Sequence, residues 1–351
     1  MDRFKHLNIN KVERLTPNAV KIAFEIPEAE AENFKFTPGQ YITIKTQLNG
    51  TEVRRSYSIC SGRDEHEIAV GIKKVPDGLF SKYANDQLKA GVQLAVHPPE
   101  GRFTFNTKSD DASTIVAFAA GSGITPIMSI MKEVLHHTDK KFILVFGNKK
   151  LEETMFHKEI AEMVAAYGDR LQVQFVYSRE QEEDAMFGRI ERSTVNYILK
   201  NKVSQPKDCL FYLCGPEEMI NNVSDTLATQ GIAKDKIKFE LFNTSDEGGE
   251  KSSEDIPEGK TKVNVLVDDE EYSLVMDKKQ RVLDAVLKED IDAPYSCQGG
   301  ICSSCIARVT EGKVEMVKNQ ILTDSELEEG LILTCQAHPV SNTLSIDYDD
   351  V

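Results

Sequence analysis

Short runs of alternating apolar and polar residues, each bounded by a turn, characterise the N-terminal part of the chain. The clearest of them, all before about Asn106, are AVKIAFEI, QYITIKTQL, EIAVGIKKV and VQLAVHPP. Successive side chains of a strand point to opposite faces of a sheet, so this alternation predicts strands with one buried face. Because turns separate these strands, residues 1–108 are predicted to form a small antiparallel β-barrel.

From about Ser113 the pattern changes to apolar strands that alternate with helices. The apolar runs are TIVAFAA, FILVFGN, LQVQFVYS and CLFYLCG. Apolar residues recur at helical spacing in IMSIMKEVLHH, KEIAEMVAAYG and EEMINNVSDTLATQG. Such alternation is typical of βαβ units, so residues 109–242 are predicted to form an α/β domain with a parallel sheet.

A polar segment separates these two regions from the C-terminal part of the chain. Residues 243–260, NTSDEGGEKSSEDIPEGK, are acidic and rich in Gly and Ser, which predicts a linker. Beyond it, KVNVLV and EYSLVM read as a hairpin around residues 268–270, and residues 281–287 have helical periodicity. Residues 261–351 are therefore predicted to form a compact terminal module.

Composition narrows the class of protein. The chain has 351 residues, enough for two or three domains of ordinary size. It contains no apolar run long enough for a transmembrane helix, and its charged start lacks the apolar core of a signal peptide. Together with cysteines that we expect to be reduced, these features predict a cytoplasmic protein with no membrane partner.

The negative charge of the chain argues against nucleic acid as a partner and leaves a basic protein partner open. The formal net charge of −15 argues against a nucleic-acid partner, because phosphates would be repelled. Residues 260–351 alone hold 18 Asp and Glu against 9 Lys and Arg. This excess serves either solubility or the docking of a basic redox partner, and the sequence favours neither reading.

Four cysteines carry the most specific chemical signal. Cys297, Cys302 and Cys305 have the spacing C-x4-C-x2-C, and Cys335 follows at a distance. This is the ligand spacing of a plant-type [2Fe-2S] cluster. A zinc site is the alternative, but zinc sites favour paired C-x2-C elements, and only one such pair is present.

The residues between these cysteines fit a loop that curls around a cluster. Gly299 and Gly300 can adopt backbone conformations that other residues avoid, so we expect both to shape the loop. Small Ser303 and Ser304 leave its rim uncrowded. The remaining cysteines are expected to be small core residues: Cys60, Cys209 and Cys214.

The predicted parallel-sheet domain has polar and glycine-rich motifs at strand ends. Residues 121–126, GSGITP, follow a strand and open a helix, where a pyrophosphate can approach the backbone, although a proline replaces the last glycine of the dinucleotide fingerprint. Ser178 and Arg179 end a later strand and suit a phosphate monoester. Residues 214–216, CGP, end another strand. Each motif alone is also compatible with an ordinary turn.

The barrel region carries two further motifs. Residues 54–58, RRSYS, close a strand, and residues 78–81, GLFS, open a helix. An arginine, a flat aromatic ring and a helix N-terminus are the parts that a flavin nucleotide needs.

In this order, the R-S-Y-S, G-S-G-I-T-P and C-G-P motifs resemble those of the ferredoxin-NADP reductase superfamily. With a plant-type ferredoxin module at the C-terminus, the chain resembles the reductases of oxygenase systems over essentially its whole length. The resemblance implies an FAD-binding β-barrel, a Rossmann-like NADP domain and a β-grasp-like [2Fe-2S] domain. FMN remains possible in place of FAD.

The resemblance also implies roles for individual residues. It places Arg55 on the flavin pyrophosphate and Tyr57 against the isoalloxazine ring. The implied flavin contacts are completed by Ser56, Ser58, Ile72, Lys73, Gly78, Phe80, Ser81 and, as a ring cover, Phe242. The implied nicotinamide-nucleotide contacts are Gly121, Gly123, Thr125, Pro126, Cys214 and Gly215, with Ser178, Arg179 and Arg189 on the 2′-phosphate of NADPH. The candidate catalytic residues are Ser58, Cys214 and Glu240.

The function implied by the resemblance is electron transfer from NADPH through FAD and a [2Fe-2S] cluster to an oxygenase. The implied acceptor is the di-iron epoxidase of phenylacetyl-CoA, in phenylacetate degradation. The alternatives are another acceptor, such as a Rieske ring hydroxylase, a desaturase or another monooxygenase, and a redox-sensing interaction module. The chain does not end on an aromatic residue after the nucleotide domain, so access of the nicotinamide is expected to differ from that in the plant enzymes.

Overall fold

A computed structural model describes residues 3–76, 78–241 and 259–351 of the chain. The described residues divide into two compact units, one from Arg3 to Leu241 and the other from Gly259 to Val351. Nearly all of the predicted linker, 243–260, lies outside the described residues. The boundaries of the four segments drawn from the sequence stay predictions.

The first part of the larger unit is the predicted antiparallel barrel. Its sheet has the strand order β4-β3-β6-β1-β2-β5, and an isolated bridge between Ile59 and Val70 links the two edges. The helix α1 packs on β5, β2 and β4. The elements are β1 Lys5–Thr16, β2 Ala19–Glu25, β3 Tyr41–Leu48, β4 Thr51–Ser58, β5 Ile68–Lys73, α1 Leu79–Asp86 and β6 Gln93–Val96.

The first strand of this barrel had no clear signal in the sequence. β1 has only three fully buried positions, and register shifts near Ile9 and Arg14 interrupt its pairing with β2. Charged residues such as Lys11 and Glu13 therefore occupy much of the strand. Strand pairing with β2 and β6, rather than a local pattern of alternation, accounts for this element.

The second part of the larger unit is the predicted parallel-sheet domain. Its strand order is β10-β9-β8-β7-β11-β12, and the strand pairs are parallel. The order reverses between β7 and β11, so the carboxyl ends of these two strands border a crevice. The elements are β7 Thr114–Ala120, α2 Ile124–His137, β8 Lys141–Asn148, α3 His157–Tyr167, β9 Leu171–Tyr177, β10 Met186–Phe187, α4 Arg192–Asn201, β11 Cys209–Gly215, α5 Glu217–Thr229 and β12 Ile237–Leu241.

A buried lysine joins the barrel to the parallel-sheet domain. Lys132 of α2 is 5% exposed, and its ammonium lies 2.5 Å from Glu65 of the barrel and 2.7 Å from Glu159 of α3. It also donates a hydrogen bond to the carbonyl of Cys60 at 3.2 Å. Burial opposes the charge of Lys132, but Glu159 and Glu65 outweigh it and raise the pKa of the lysine.

The smaller unit is a mixed sheet with a helix across it, as the β-grasp prediction requires. Its main sheet has the order β14-β13-β19-β15-β17, in which β13 and β19 are parallel, and β16 pairs with β18. Asp268 and Asp269 both have positive φ and form the predicted hairpin turn between β13 and β14. The elements are β13 Lys260–Val267, β14 Glu270–Asp277, α6 Val282–Lys288, β15 Ile306–Glu311, β16 Val314–Met316, α7 Asp324–Glu328, β17 Leu331–Leu333, β18 Ala337–Pro339 and β19 Thr343–Asp347.

The helices in the described ranges are short. The longest of them, α2, has 14 residues, whereas about 20 are needed to cross a bilayer. Across residues 3–76, 78–241 and 259–351, no helix has both the length and the apolar character of a membrane span.

Lys132→Met should destabilise the larger unit by about 2–4 kcal/mol, because the carboxylates of Glu65 and Glu159 lose their shared cation at a part-buried site. The thermal or denaturant midpoint of that unit measures the change. Lys158→Met is the matched control, since the Lys158 side chain is 92% exposed and should contribute little. Equal midpoints for the two variants would contradict the assigned role of Lys132.

Candidate functional site

Two motifs that are far apart in the sequence meet at the crevice of the parallel sheet. A Cβ on Gly123 would lie 2.8 Å from the nitrogen of Gly215 and still closer to the carbonyl of Cys214. Only a glycine allows the loop after β7 to approach the end of β11 so closely. The glycine at position 123 therefore lets residues 121–126 pack against residues 214–216, at the point where a parallel sheet binds its ligand.

The rest of the glycine-rich segment forms a tight turn and then α2. Residues Gly121–Gly123 make a short 3-10 turn, and Thr125 Oγ1 donates a hydrogen bond to the Ser122 carbonyl at 3.0 Å. Pro126 lies in the first turn of α2, where a missing N–H costs no helical hydrogen bond. The turn thus presents backbone N–H groups at the start of a helix, as a diphosphate requires.

A buried polar side chain at the next strand end supports a ligand at this edge. Asn148, the last residue of β8, has buried amide N and O atoms that lack a hydrogen-bond partner within the described ranges. Buried amides are normally paired, so Asn148 marks a place where a bound group or ordered water is expected. Asn148 was not among the residues predicted from the sequence, although its position at a strand's carboxyl end is the signal that could have indicated it.

The predicted 2′-phosphate residues lie at the far side of this edge. Ser178 and Arg179 follow β9, and their backbone N–H groups bond to the carbonyls of Asn148 and Lys149 at 3.0 Å each. The guanidinium of Arg179 is exposed and has no hydrogen bond or ion pair with a described residue.

Arg189 lies just beyond the β10 strand that extends this edge. β10 pairs with the end of β9, at Val176 and Tyr177. Arg189 is 71% exposed, and its guanidinium lies 3.5 Å from Glu218 of α5.

The barrel brings its two predicted flavin motifs together. The rings of Tyr57 on β4 and Phe80 on α1 have centroids 5.6 Å apart. Phe80 and Ile72 are fully buried in the barrel core, so they support the surface on which Tyr57 lies. Burial raises the pKa of Tyr57, which keeps its hydroxyl neutral.

The loop before α1 is organised by Ser81. Its hydroxyl accepts a hydrogen bond from the N–H of Val75 at 3.1 Å and donates one to the carbonyl of Gly78 at 3.3 Å. Ser81 is 5% exposed, so its hydroxyl shapes the loop, and the first N–H groups of α1 are the donors left for a diphosphate.

Three further predicted residues lie on or beside this surface. Arg55 pairs with Ile44 across the sheet, and its Nη1 donates to the carbonyl of Arg54 at 2.7 Å. The hydroxyl of Ser56 lies 3.0 Å from that of Thr43. Lys73 ends β5 with its ammonium 3.8 Å from Glu153, and burial lowers the pKa of that lysine.

The three candidate catalytic residues come together between the barrel and the parallel sheet. Ser58 Oγ donates a hydrogen bond to Glu240 Oε2 at 3.3 Å, and Glu240 on β12 pairs with Cys214 on β11. Burial raises the pKa of Glu240 to about 8, and the hydrogen bond from Ser58 opposes that rise. Burial, and then the charge of Glu240, raises the pKa of Cys214. Phe242, the predicted ring cover, lies outside the described residues.

In the smaller unit, the four predicted ligand thiols form two pairs. Cys297 is hydrogen-bonded to Cys302, and Cys305 to Cys335. No group of three or more His, Cys, Asp or Glu side chains in the described ranges is arranged to hold a single metal ion. Two adjacent thiol pairs fit the two irons of a [2Fe-2S] cluster better than one zinc ion.

Backbone donors around Cys297 favour a thiolate. The N–H of Gly299 donates to its sulfur at 3.3 Å. The pKa of Cys297 is lowered to about 6, chiefly by the hydrogen bond from Cys302 and further by the backbone N–H groups of Ile301, Gly299 and Cys302. Thiolates held in this way are suited to bind iron.

The conformation of the cysteine loop differs in part from expectation. Gly300 has a φ of 74°, as expected, but the other left-handed residue is Gln298, with a φ of 52°, rather than Gly299. A Cβ on Gly300 would lie 2.9 Å from the carbonyl of Lys318. Glycine is therefore required at position 300, where the loop packs on the backbone of Lys318.

Comparison with known protein families assigns a cofactor to each part of the chain. Residues 6–105 match the model of the oxidoreductase FAD-binding domain, residues 118–225 that of the oxidoreductase NAD-binding domain, and residues 265–340 that of the 2Fe-2S iron-sulfur cluster binding domain. These matches confirm the predicted fold classes and the predicted set of FAD, a nicotinamide nucleotide and a [2Fe-2S] cluster. They also confirm that the chain is an oxidoreductase.

Full-length relatives have the same arrangement. The chain is 33% identical to one of the subunits of 1,2-phenylacetyl-CoA epoxidase of Escherichia coli (strain K12), over 99% of each chain. It is 32% identical to the ferredoxin reductase component of 3-ketosteroid-9-alpha-monooxygenase of Rhodococcus rhodochrous, over 97% of this chain and 96% of that one. The solved structure of phthalate dioxygenase reductase shares the fold, with a TM-score of 0.62 at 20% identity over 98% of each chain.

The raised pKa of Glu240 predicts a pH-dependent stability. In the folded chain this carboxyl keeps its proton up to about pH 8, whereas its ordinary pKa is 4.5. Unfolding therefore releases a proton between these values, and the stability contributed by the protonated group is lost as pH rises through that window. Glu240→Gln has no such proton to release, so its melting temperature should fall less than that of the wild type between pH 5 and pH 8.

The exposed Glu162 on α3 provides the matched control for this prediction. Glu162→Gln should reproduce the pH dependence of the wild type. If Glu240→Gln and the wild type lose the same number of degrees between the two pH values, Glu240 ionises normally and the prediction is wrong.

Proposed function

We propose that this chain, which belongs to the family of ferredoxin reductase components of oxygenase systems, delivers electrons from NADPH to a di-iron epoxidase that acts on phenylacetyl-CoA. The observation that carries the choice of acceptor is the 33% identity, over 99% of each chain, to the E. coli epoxidase component. When bound, FAD accepts the two electrons of a hydride and a [2Fe-2S] cluster carries single electrons, so the protein's own part is to bind and orient these groups.

On the flavin side, we assign binding to β4 and to the start of α1. Arg55 supplies a cation for the diphosphate, and Tyr57 supplies a flat ring held in place by Phe80. The backbone of Gly78 and Ser81 presents the N-terminus of α1 to the same diphosphate. Ser56 and Ser58 lie on β4 on either side of Tyr57. Ile72 and Lys73, at the end of β5, complete the proposed flavin-binding surface.

On the nucleotide side, we assign the diphosphate of NADPH to the turn Gly121–Gly123 and the first turn of α2, with Thr125 and Pro126. Cys214 and Gly215 then lie beside the nicotinamide, because Gly123 packs directly on them. Ser58 and Glu240 border the same place from the barrel and from β12. A carboxyl that stays protonated near pH 7 can donate a hydrogen bond there without placing a negative charge beside the reacting rings.

The choice of NADPH over NADH is supported by Ser178, Arg179 and Arg189. All three lie at the β9–β10 edge of the sheet, and the Arg179 guanidinium is exposed with no bond to a described residue. Among the described residues, the ion-pair partner of Arg189 is the exposed Glu218, which a phosphate can displace. Arginine binds phosphate oxygens through two parallel N–H groups, which makes this edge suited to the 2′-phosphate.

A different acceptor is the second candidate. The identity of 32% to the reductase component of a ketosteroid monooxygenase is nearly as high as that to the epoxidase component, and it also extends over almost the whole chain. The reductase parts of such chains bind the same cofactors whichever oxygenase receives the electrons, so their residues do not identify the acceptor. The acceptor must therefore be distinguished by turnover.

Reconstitution with candidate oxygenases tests the proposed acceptor. The full-length protein, NADPH and the oxygenase subunits of a phenylacetyl-CoA epoxidase should convert phenylacetyl-CoA to its epoxide, with NADPH consumed in step. A Rieske ring hydroxylase and a steroid monooxygenase, supplied with their own substrates, serve as the comparison. Coupled turnover with one of these and none with the epoxidase would overturn the proposal, provided that ferricyanide reduction shows an active reductase.

Arg179→Ala tests the nucleotide preference. Loss of charge-assisted hydrogen bonds worth about 1.5–3 kcal/mol should raise the KM for NADPH roughly 10- to 100-fold and leave that for NADH nearly unchanged. Steady-state ferricyanide reduction with each nucleotide measures both values. Lys200→Ala, at an exposed position in the last turn of α4, is the control and should change neither. An equal rise for both nucleotides would show that Arg179 does not bind the 2′-phosphate.

A further inference from the structure

The residue that follows the fourth cysteine has a buried side-chain amide. Gln336 is 4% exposed, although glutamine is usually found at the surface. A buried amide must find partners for its polar atoms, because an unpaired one costs about 1–3 kcal/mol. The partners of Gln336 therefore show what the side chain does in the unit that binds the cluster.

The NH2 group of Gln336 has three acceptors within reach, and two of them belong to Cys335. Its Nε2 donates to the carbonyl of Gln298 at 2.8 Å, lies 2.9 Å from the carbonyl of Cys335 and 3.8 Å from the sulfur of Cys335. Gln298 lies in the loop that carries the other three cysteines, and its left-handed backbone helps to direct its carbonyl. One amide thus bridges the cysteine loop and the fourth thiol.

The position of this amide is fixed from several sides. The backbone N–H of Gln336 bonds to the carbonyl of Leu333 at 2.8 Å, and its own carbonyl accepts from Val317 at 3.0 Å. A Cβ on Gly300 would lie 3.0 Å from Gln336 Cγ, so the loop packs against the aliphatic part of the side chain. An amide held in this way stays directed at its acceptors and does not move to solvent.

From these contacts we propose that Gln336 is a positioning residue that raises the reduction potential of the [2Fe-2S] cluster. Its NH2 group donates to the carbonyls of Gln298 and Cys335 and lies 3.8 Å from the sulfur of Cys335, so the positive end of the amide dipole stabilises the more negative, reduced state. Through Gln298 the same amide holds the cysteine loop against the fourth ligand. The inference concerns the cluster alone, so it does not depend on which oxygenase receives the electrons.

Gln336→Met in the full-length protein is the direct test, because methionine has a similar length but no donor. The cluster should assemble, and its midpoint potential, followed by its visible and EPR signals, should shift to a more negative value. The flavin potential, measured in the same titration, should stay where it is. Gln336→Glu, which replaces the donor by a carboxylate oxygen, should shift the cluster potential further in the same direction.

Gln298→Met is the matched control. It also follows a cluster cysteine, but its side chain is exposed, and only its backbone carbonyl contacts Gln336. This variant should keep the wild-type potential. A Gln336→Met protein with an intact cluster and an unchanged potential would overturn the proposal, even if its cluster were lost faster to a chelator, because faster loss alone indicates only structural support.

A measurement on the wild-type protein covers the case in which neither Gln336 variant assembles a cluster. With glutamine labelled by ¹⁵N in the side chain, pulsed EPR of the reduced protein should detect coupling of a labelled nitrogen to the cluster spin. The coupling should persist in both Gln298→Met and Gln320→Met, since Gln320 also contacts the cysteine loop through the carbonyl of Gly300, and this result leaves Gln336 as its source. Absence of any such coupling in a fully reduced sample would refute a hydrogen bond from Gln336 to the cluster ligand.

Discussion

The approach of the Gly123 backbone to the end of β11 is the constraint on which the nucleotide site depends. The loop after β7 can pack on Cys214 and Gly215 only because position 123 has no Cβ. This contact closes the point where the strand order reverses, between β7 and β11. It thereby sets the distance between the N–H groups of the first helical turn and the end of β11, beside which we propose that the nicotinamide binds.

The barrel must then present its proposed flavin surface to this point, and buried polar and charged side chains hold the two parts together. Lys132 binds carboxylates from both sides of the boundary, and Ser58 reaches Glu240 across it. Both contacts are buried or part-buried, where ion pairs and hydrogen bonds specify one arrangement more strongly than at the surface. Burial at the same boundary raises the pKa of Glu240, so the packing of the two parts also affects the charge at the site.

Some structural elements were predicted from the sequence more accurately than others, and the differences have physical reasons. The strands Thr114–Ala120 and Cys209–Gly215 begin and end as their apolar runs predicted, since buried parallel strands are apolar throughout. β1 was missed because it is largely exposed and bulged, so its pattern of alternation is weak. Gln298, rather than Gly299, takes the left-handed conformation in the cysteine loop, since the backbone path around the thiols decides which residue must do so.

The sequence by itself indicated the three cofactor-binding regions, because the cysteine spacing is specific and the other short motifs, taken together in their order, resemble those of one family. The cysteine spacing, the glycine-rich turn and the R-S-Y-S strand are local features that any chain with these residues would display. Only the tertiary structure decided that Gly123 packs on Cys214, that Ser58 meets Glu240, and that the amide of Gln336 is directed at Cys335. Those contacts arise from strand order and from the burial of polar groups, which join positions that no local pattern connects.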